Sequence, residues 1–339
     1  MTESDLLQAA RSGDDAAFAA LVAPYRRELH VHCYRMLGSF DDADDAMQET
    51  LLAAWRGLAA FQSRASLRTW LYQVATNTCL NLIRTASRRP QMTDPLPASA
   101  PEPTGSTEVT WLQPYPDLLL DELPDPDAAP HARIERAEAV SLAFLTALQL
   151  LSPRARAVLV LRDVLGFSAA EVAQTLDSTP EAVAVALSRA RAALRVHAPS
   201  RATTHGTTGT AEEARLVGLL TQALVAHDVE AVVRLLADDV RIAMPPLPAV
   251  WQGRDRAATF LAEVAFRLVP RARFVSTRAN GQPALGVYMH DPADGLWRAG
   301  GLLVLTLAGA HITGLTRFES ATMRPFGLPS ILPDDQPDN

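Results

Sequence analysis

The stretch Asp41-Asp42-Ala43-Asp44-Asp45-Ala46-Met47-Gln48-Glu49 carries five acids in nine residues. From Thr50 to Thr93 the chain then holds six arginines and neither Asp nor Glu, with Trp55, Phe61, Trp70 and Tyr72 interleaved among them. Met47, Leu51, Leu52 and Trp55 recur at helical spacing, so the change of sign falls within one helical run, with Asp41 or Asp42 as its N-cap. Two partners are expected. The acidic face suits a basic or polar protein, whereas arginines among aromatics suit a phosphate backbone and unstacked bases. A merely solvated face normally mixes both signs.

Upstream, Phe18, Leu21, Val22, Tyr25 and Leu29 keep the helical period. Downstream, Ser66 caps a helix predicted to run to about Arg88, with Trp70, Leu71, Val74, Leu82 and Ile83 inside. Residues 5–90 therefore read as an all-α domain that Pro90 ends. Residues 91–130 hold eight acids and no basic residue, and ten prolines lie between Pro90 and Pro130. That composition predicts an extended acidic linker rather than a packed domain. Its segment Trp111-Leu112-Gln113-Pro114-Tyr115-Pro116-Asp117-Leu118-Leu119-Leu120 is too apolar for a spacer and is expected to dock.

Helices resume over residues 131–198. Ser152-Pro153 starts one that Gly166 stops, Ser168 caps a shorter one through Leu176, and Glu181 to Val196 follows the turn Asp177-Ser178-Thr179-Pro180. Such a pair is either a helix-turn-helix or a plain αα-hairpin. Arg189, Arg191 and Arg195 on the second helix favour DNA binding. Residues 199–210 read as a flexible linker. Over 211–325 two helices broken near His227-Asp228 give way to short strands at 240–243, 274–278, 284–290, 296–299, 302–307 and 311–318. Turns lie at Asn280-Gly281, at 291–295 and at Ala308-Gly309. This pattern predicts an α+β domain with a curved antiparallel sheet, then a loose tail over 326–339.

Composition excludes several classes. The 339 residues are 48% hydrophobic and 20% charged, enough for two or three packed domains. No run of eighteen apolar residues occurs and the N-terminus is acidic, so neither a membrane span nor a secretory signal is expected. Cys33 and Cys79 are too few for a disulfide framework or a zinc site and fit a reducing cytoplasm. The net charge of −7 is uneven: residues 1–90 balance, 91–130 carry −8, 131–210 carry +3 and 211–339 carry −2. Tight duplex binding by this chain alone is not expected; a larger basic partner is.

Asp44-Asp45-Ala46-Met47-Gln48-Glu49-Thr50 with Trp55 and Phe61, then Leu67-Arg68-Thr69-Trp70-Leu71 and Asn77-Thr78-Cys79-Leu80-Asn81-Leu82-Ile83-Arg84, resemble region 2 of bacterial sigma-70-type factors. Leu151-Ser152-Pro153-Arg154-Ala155-Arg156 through Ser188-Arg189-Ala190-Arg191-Ala192-Ala193-Leu194 resembles region 4. No region 3 domain intervenes, as in the extracytoplasmic-function (ECF) group. Met244-Pro245-Pro246-Leu247-Pro248 and Trp251-Gln252-Gly253-Arg254 resemble the SnoaL-like, ketosteroid-isomerase-type fold. With Trp111 to Pro116 in the linker, the chain is similar to the SigG-like subgroup. The implied architecture is multidomain: two all-α sigma domains followed by an α+β SnoaL-like, cystatin-like domain with a curved antiparallel sheet.

The resemblance implies roles for particular residues. Asp44, Asp45, Gln48, Glu49 and Trp55 would dock on the beta-prime clamp of core RNA polymerase. Asn77, Asn81, Arg84 and Arg88, on one helix face, would read promoter DNA at the −10 element. Phe61, Gln62 and Arg64 would trap a base flipped during melting, with Arg68 and Trp70 beside them. Ser178, Thr179, Glu181, Ala182, Ser188, Arg189 and Arg191 would serve the −35 element, and region 4 would meet the beta flap. Relatives place polar or basic residues midway along this helix, where the present chain has Ala184, Val185 and Ala186. The acidic linker would either thread the polymerase as a nucleic-acid mimic or act as an inert tether.

In the last domain, Asp239, His290, Asp291 and His311 are single titratable residues without a paired constellation, so no catalytic residue, metal site or cofactor is assigned. Met244, Trp251, Phe274, Tyr288, Trp297 and Phe318 would line a tail pocket or form ordinary core. A regulatory domain acting in cis, through a small-molecule ligand or a protein regulator, is the expected role. The rivals are a helix-turn-helix regulator fused to a polyketide-cyclase- or isomerase-like enzyme, and an ordinary operator-binding repressor.

Overall fold

The structure, a computed structural model, describes residues 2–61, 65–85, 99–121, 139–197 and 210–333. It forms two compact units, one of residues 1–88, 119–128 and 144–198, the other of residues 89–118, 129–143 and 199–339.

The first unit is helical. Its N-terminal part holds α1 (Glu3–Arg11), α2 (Asp15–Val22), α3 (Arg26–Leu37), α4 (Phe40–Gly57) and α5 (Leu67–Thr85). Nine successive residues of α3, Leu29 to Leu37, are buried, which makes it the central helix. Gly38 ends α3 in the left-handed region at φ 77°, where a residue without Cβ carries no penalty. The N-cap of α4 is Ser39, whose hydroxyl accepts from the Asp42 amide at 3.1 Å. Asp41 and Asp42 are therefore not the cap but lie in the first turn, where the helix dipole favours acids.

The C-terminal part of this unit holds four helices: Leu142–Gln149, Pro153–Leu159 with a π-helical turn through Val164, Ala169–Thr175 and Pro180–His197. Ser168 and Glu171 form a capping box, and Asp177 turns the chain at φ 45°. Ser152 makes no side-chain capping bond; Pro153 at the first position starts that helix without one. Buried Arg156 donates to the carbonyls of Leu148 at 3.0 Å and Gln149 at 2.9 Å, and also to Met36 at the end of α3. Tyr72 and Phe167 meet edge to face at 5.3 Å. The two halves of this unit thus share a core.

The second unit pairs helices Ala211–Val225 and Val229–Leu235 with an eight-stranded sheet. The strands are β1 (Gly105–Ser106), β2 (Leu236–Ala243), β3 (Ala249–Gln252), β4 (Ala272–Ala279), β5 (Gln282–His290), β6 (Trp297–Ala308), β7 (His311–Phe318) and β8 (Ile331–Leu332). Their order is β1-β3-β2-β7-β6-β5-β4, with β8 beside β6.

The sheet departs from expectation in four ways. It is not wholly antiparallel, because β2 and β7 run parallel; no hairpin joins them, so nothing forces the opposite sense. The two segments expected at 296–299 and 302–307 are one strand, β6, bulged where Val287 pairs with Gly301 and Tyr288 with Ala299. Gly301 sits at φ 144°, and a Cβ there would meet the Phe318 carbonyl oxygen at 2.2 Å, so only glycine fits the bulge. β3 and the helix Arg254–Phe260 carry no strong sequence period. Residues 326–332 are not a loose tail: the 3-10 helix Ser320–Phe326 packs over β6 and leads into β8. The last residues of that expected tail, 334–339, lie outside the described residues.

Among the described residues no helix is long and apolar enough to cross a membrane.

Candidate nucleic-acid and partner interface

On α4, Ala43, Ala46, Met47, Thr50 and Ala54 are buried, which turns Asp41, Asp42, Asp44, Asp45, Gln48 and Glu49 outward. Crowding is mild. Burial pushes the Asp42 carboxyl up, Ser39 opposes that by hydrogen bonding, and Asp45 and Asp41 add repulsion. Leu52, one turn beyond Gln48, is 55% exposed. It extends the acidic face with an apolar knob. Trp55 is half-buried, its ring edge-to-face with Phe18 at 5.0 Å, so only part of it can meet a partner.

On α5, Asn77, Asn81 and Arg84 are exposed while Ala75, Thr76, Thr78 and Cys79 point inward. An Arg84 nitrogen donates to Asn81 Oδ1 at 3.1 Å, which aligns a guanidinium with an amide on one face. Arg88, Gln62 and Arg64 lie outside the described residues. Three neighbouring candidates have partners within the fold. Phe61 is buried against Trp70, with ring centroids 5.0 Å apart, and Arg11 donates to its carbonyl. Arg68 forks onto Glu28 with bonds of 2.8–3.1 Å and stacks 4.8 Å over Tyr72. Its charge is spent on holding α5 to α3. Trp70 is half-buried, packed also against Gly57.

Along Pro180–His197, Val183, Leu187 and Ala190 are buried. The outward side shows Glu181, Ala182, Ala184, Val185, Ser188, Arg189 and Arg191. Thr179 caps the helix, its hydroxyl accepting from the Ala182 amide at 3.2 Å. Ser178 and Thr179 are exposed in the turn. Arg191 is held by Asp163 through two bonds of 2.7 and 2.6 Å, whereas Arg189 stays outward. Beside this helix a groove of about 360 Å³ is lined by Arg162, Ser188, Arg191 and Arg195 together with Ala169, Ala184 and Leu187.

The Sigma-70 region 2 profile matches residues 21–89, and the Sigma-70 region 4 profile matches residues 141–194. The chain is similar to the ECF RNA polymerase sigma factor SigG of Mycobacterium tuberculosis, 40% identical over 328 residues that cover 95% of this chain and 86% of that protein. It belongs to the ECF sigma factors. SigM of the same species is 31% identical over 193 residues, covering 57% of this chain and 83% of that protein. The crystal structure of the M. tuberculosis extracytoplasmic function sigma factor SigJ shares the fold at a TM-score of 0.57 and 22% identity, covering 90% of this chain and 97% of that one.

In this sigma factor the residues expected to line a tail pocket do not converge. Phe274 pairs with Val287 and Arg273 with Tyr288, and paired residues share a face while neighbours alternate. Met244 and Trp251 lie in a core cluster with Phe260, Leu261 and Leu305, and Phe274 in a second with Leu285 and Val287. Tyr288, Trp297 and Phe318 belong to the opposite face. There Tyr288 Oη donates to the Pro329 carbonyl at 2.9 Å, and Met323 and Leu328 close over Gly286. Nor do the titratable candidates gather. Asp239 and His311 are exposed, His290 lies edge-on to Trp297, and Asp291 is drawn below the usual carboxylate range by the Ala293 amide and then by Arg298.

The acidic linker of the sigma factor, by contrast, is built into this domain. β1 adds to the sheet at β3, Trp251 Nε1 donates to the Pro101 carbonyl at 2.8 Å, and Thr104 bonds Val250 and Gln252. Further on, Tyr115 is fully buried and Asp117 pairs with Arg278 at 3.2 Å. Asn280, in the expected Asn-Gly turn, holds both ends of the excursion. Its Oδ1 accepts from the Tyr115 amide at 2.8 Å, and its Nδ2 donates to the Val140 carbonyl at 2.6 Å.

Proposed function

We propose that this sigma factor docks on core RNA polymerase through the outward face of α4. On this reading α5 reads and opens the −10 element, Pro180–His197 reads the −35 element, and the C-terminal domain restrains initiation through its grip on the linker. One observation carries the assignment: the exposed groups are sorted by helix. Carboxylates and Leu52 occupy α4, while Asn77, Asn81 and Arg84 occupy α5. A basic coiled coil would be attracted by the first set, with Leu52 supplying burial. Amides and guanidiniums are the groups that pair with base edges and phosphates. The relatives, themselves RNA polymerase sigma factors, support carrying these partners over.

The C-terminal domain is best understood as a scaffold. A sheet that has taken up residues 99–118 of the linker competes with any other path for that segment. Its titratable residues are dispersed and its aromatic residues are spent on two separate layers, which favours binding over catalysis.

In vitro transcription with bacterial core polymerase and a genomic promoter library tests the assignment. Full-length protein is expected to direct discrete starts. Asn77→Ala with Asn81→Ala is expected to lower the yield at least tenfold without loss of core binding, and a chain ending at Ala198 to alter it. Failure of the full-length chain both to bind core and to initiate would overturn the reading.

A further inference from the structure

The second helix of the helix-turn-helix presents methyl groups where hydrogen-bonding side chains would be expected. Val183, Leu187 and Ala190 face the core, and the opposite side is centred on Val185, with Glu181 and Ser188 on one flank and Ala182 and Arg189 on the other. Val185 is 51% exposed and Ala182 and Ala184 are exposed beside it. An exposed β-branched residue in the second turn adds little to helix stability. In helix-turn-helix docking the first turns of this helix approach base edges. In the major groove the apolar feature is the thymine 5-methyl group, which alanine and valine contact and hydrogen-bonding side chains do not need.

Charge points to the same occupant. The helix carries Arg189, Arg191 and Arg195 against the single acid Glu181; Arg191 is paired with Asp163, so Arg189 and Arg195 supply most of the outward positive charge. The adjoining groove adds Arg162, with Ser188 between the arginines. Backbone phosphates would be held along that flank, leaving the methyl stripe over the base edges.

We propose that Val185, flanked by Ala182, selects a thymine in the −35 element by packing against its 5-methyl group. The proposal rests on reading Pro180–His197 as the −35 helix. Specificity would come from methyl contact and exclusion of water rather than from a bidentate hydrogen bond, so each correct base would contribute modestly.

The test removes the methyl from the DNA. On the strongest promoter recovered with the full-length holoenzyme, each −35 thymine is replaced in turn by deoxyuridine, which keeps every hydrogen-bonding group. Open-complex formation is then measured with the unaltered protein and with Val185→Ser. At one or two positions deoxyuridine is expected to lower apparent affinity about fourfold, the worth of one buried methyl-sized group. The penalty should vanish with Val185→Ser. Because Val185 is exposed, that substitution leaves the core untouched, which circular dichroism and unchanged binding to core polymerase would verify. Indifference to deoxyuridine at every −35 position would overturn the proposal, whether or not a scrambled −35 element abolishes initiation. So would a deoxyuridine penalty that persists in Val185→Ser. Recovery of no promoter at all would instead count against the sigma assignment itself, and the two failures are therefore distinct.

Discussion

His30 and His32, neighbours on the central helix, are buried imidazoles held neutral by the fold. Burial lowers His32 to about 3 and His30 to about 4, with Arg35 depressing the first further and Asp44 partly offsetting the second. His32 Nε2 shares a 2.9 Å bond with Thr76 Oγ1. In the unfolded chain a histidine takes up its proton near pH 6.5. Between that pH and the folded values the unfolded state binds more protons, so stability falls as pH falls. Each histidine can cost up to about 1.4 kcal/mol per pH unit across its window, ending near pH 4 for His30 and near pH 3 for His32. Denaturant unfolding at pH 7, 6, 5 and 4.5 should show this decline, and His32→Phe should make it shallower; an unchanged slope would contradict the assignment. The same scale shows what one-dimensional reading can reach. Asn77, Asn81 and Arg84 were legible because helical spacing alone puts them on one face. Arg68 was not, since its partner Glu28 lies 40 residues away and spacing cannot tell a free guanidinium from a committed one.

At the scale of elements, local signals placed the helices and most turns, and failed where a boundary depended on contacts elsewhere. Ser39 rather than Asp41 or Asp42 caps α4, a shift of two or three residues that any of three good capping residues would permit. Gly300-Gly301 looked like a break between strands and proved to be a bulge within β6. The face of α4 is the instructive case. Asp45, Gln48, Glu49 and Leu52 lie at i, i+3, i+4 and i+7, so one patch combines carboxylates with an apolar knob, the composition of an interface centre with its rim. Helical spacing alone does not tell that Leu52 faces out. Its exposure gives a clean test. Leu52→Asp should leave thermal stability within about 0.5 kcal/mol, as for other exposed positions, yet weaken binding to core polymerase at least tenfold, the worth of a buried leucine. Parallel loss of stability and binding would instead place Leu52 in the fold.

Across the whole chain, composition marked out the acidic, proline-rich segment but hid what it does. Prolines and acids predicted an extended segment; residues 101–116 run without helix before the short helix Asp117–Asp121, yet they are bound to a sheet whose other strands begin more than 100 residues later. No local pattern reports such pairing. Only the apolar run Trp111 to Leu120 hinted that something would cover it. The fixing point is Asn280, buried at φ 58° and 165 residues from Tyr115. Asn280→Gly keeps the backbone freedom of the turn while deleting the side-chain bonds to Tyr115 in the linker and to Val140 beyond it, so it separates turn geometry from linker capture. Two buried groups, the Tyr115 amide and the Val140 carbonyl, would lose a partner, a cost on the order of 2 kcal/mol. Amide exchange at residues 111–117 should then quicken about thirtyfold while β5 and β6 keep their protection. If the sheet restrains initiation by holding this segment, Asn280→Gly should also raise the yield of transcripts from the same promoter. Faster exchange with a lower yield would mean that the docked linker is the active arrangement, since the same release would then remove a requirement instead of a restraint.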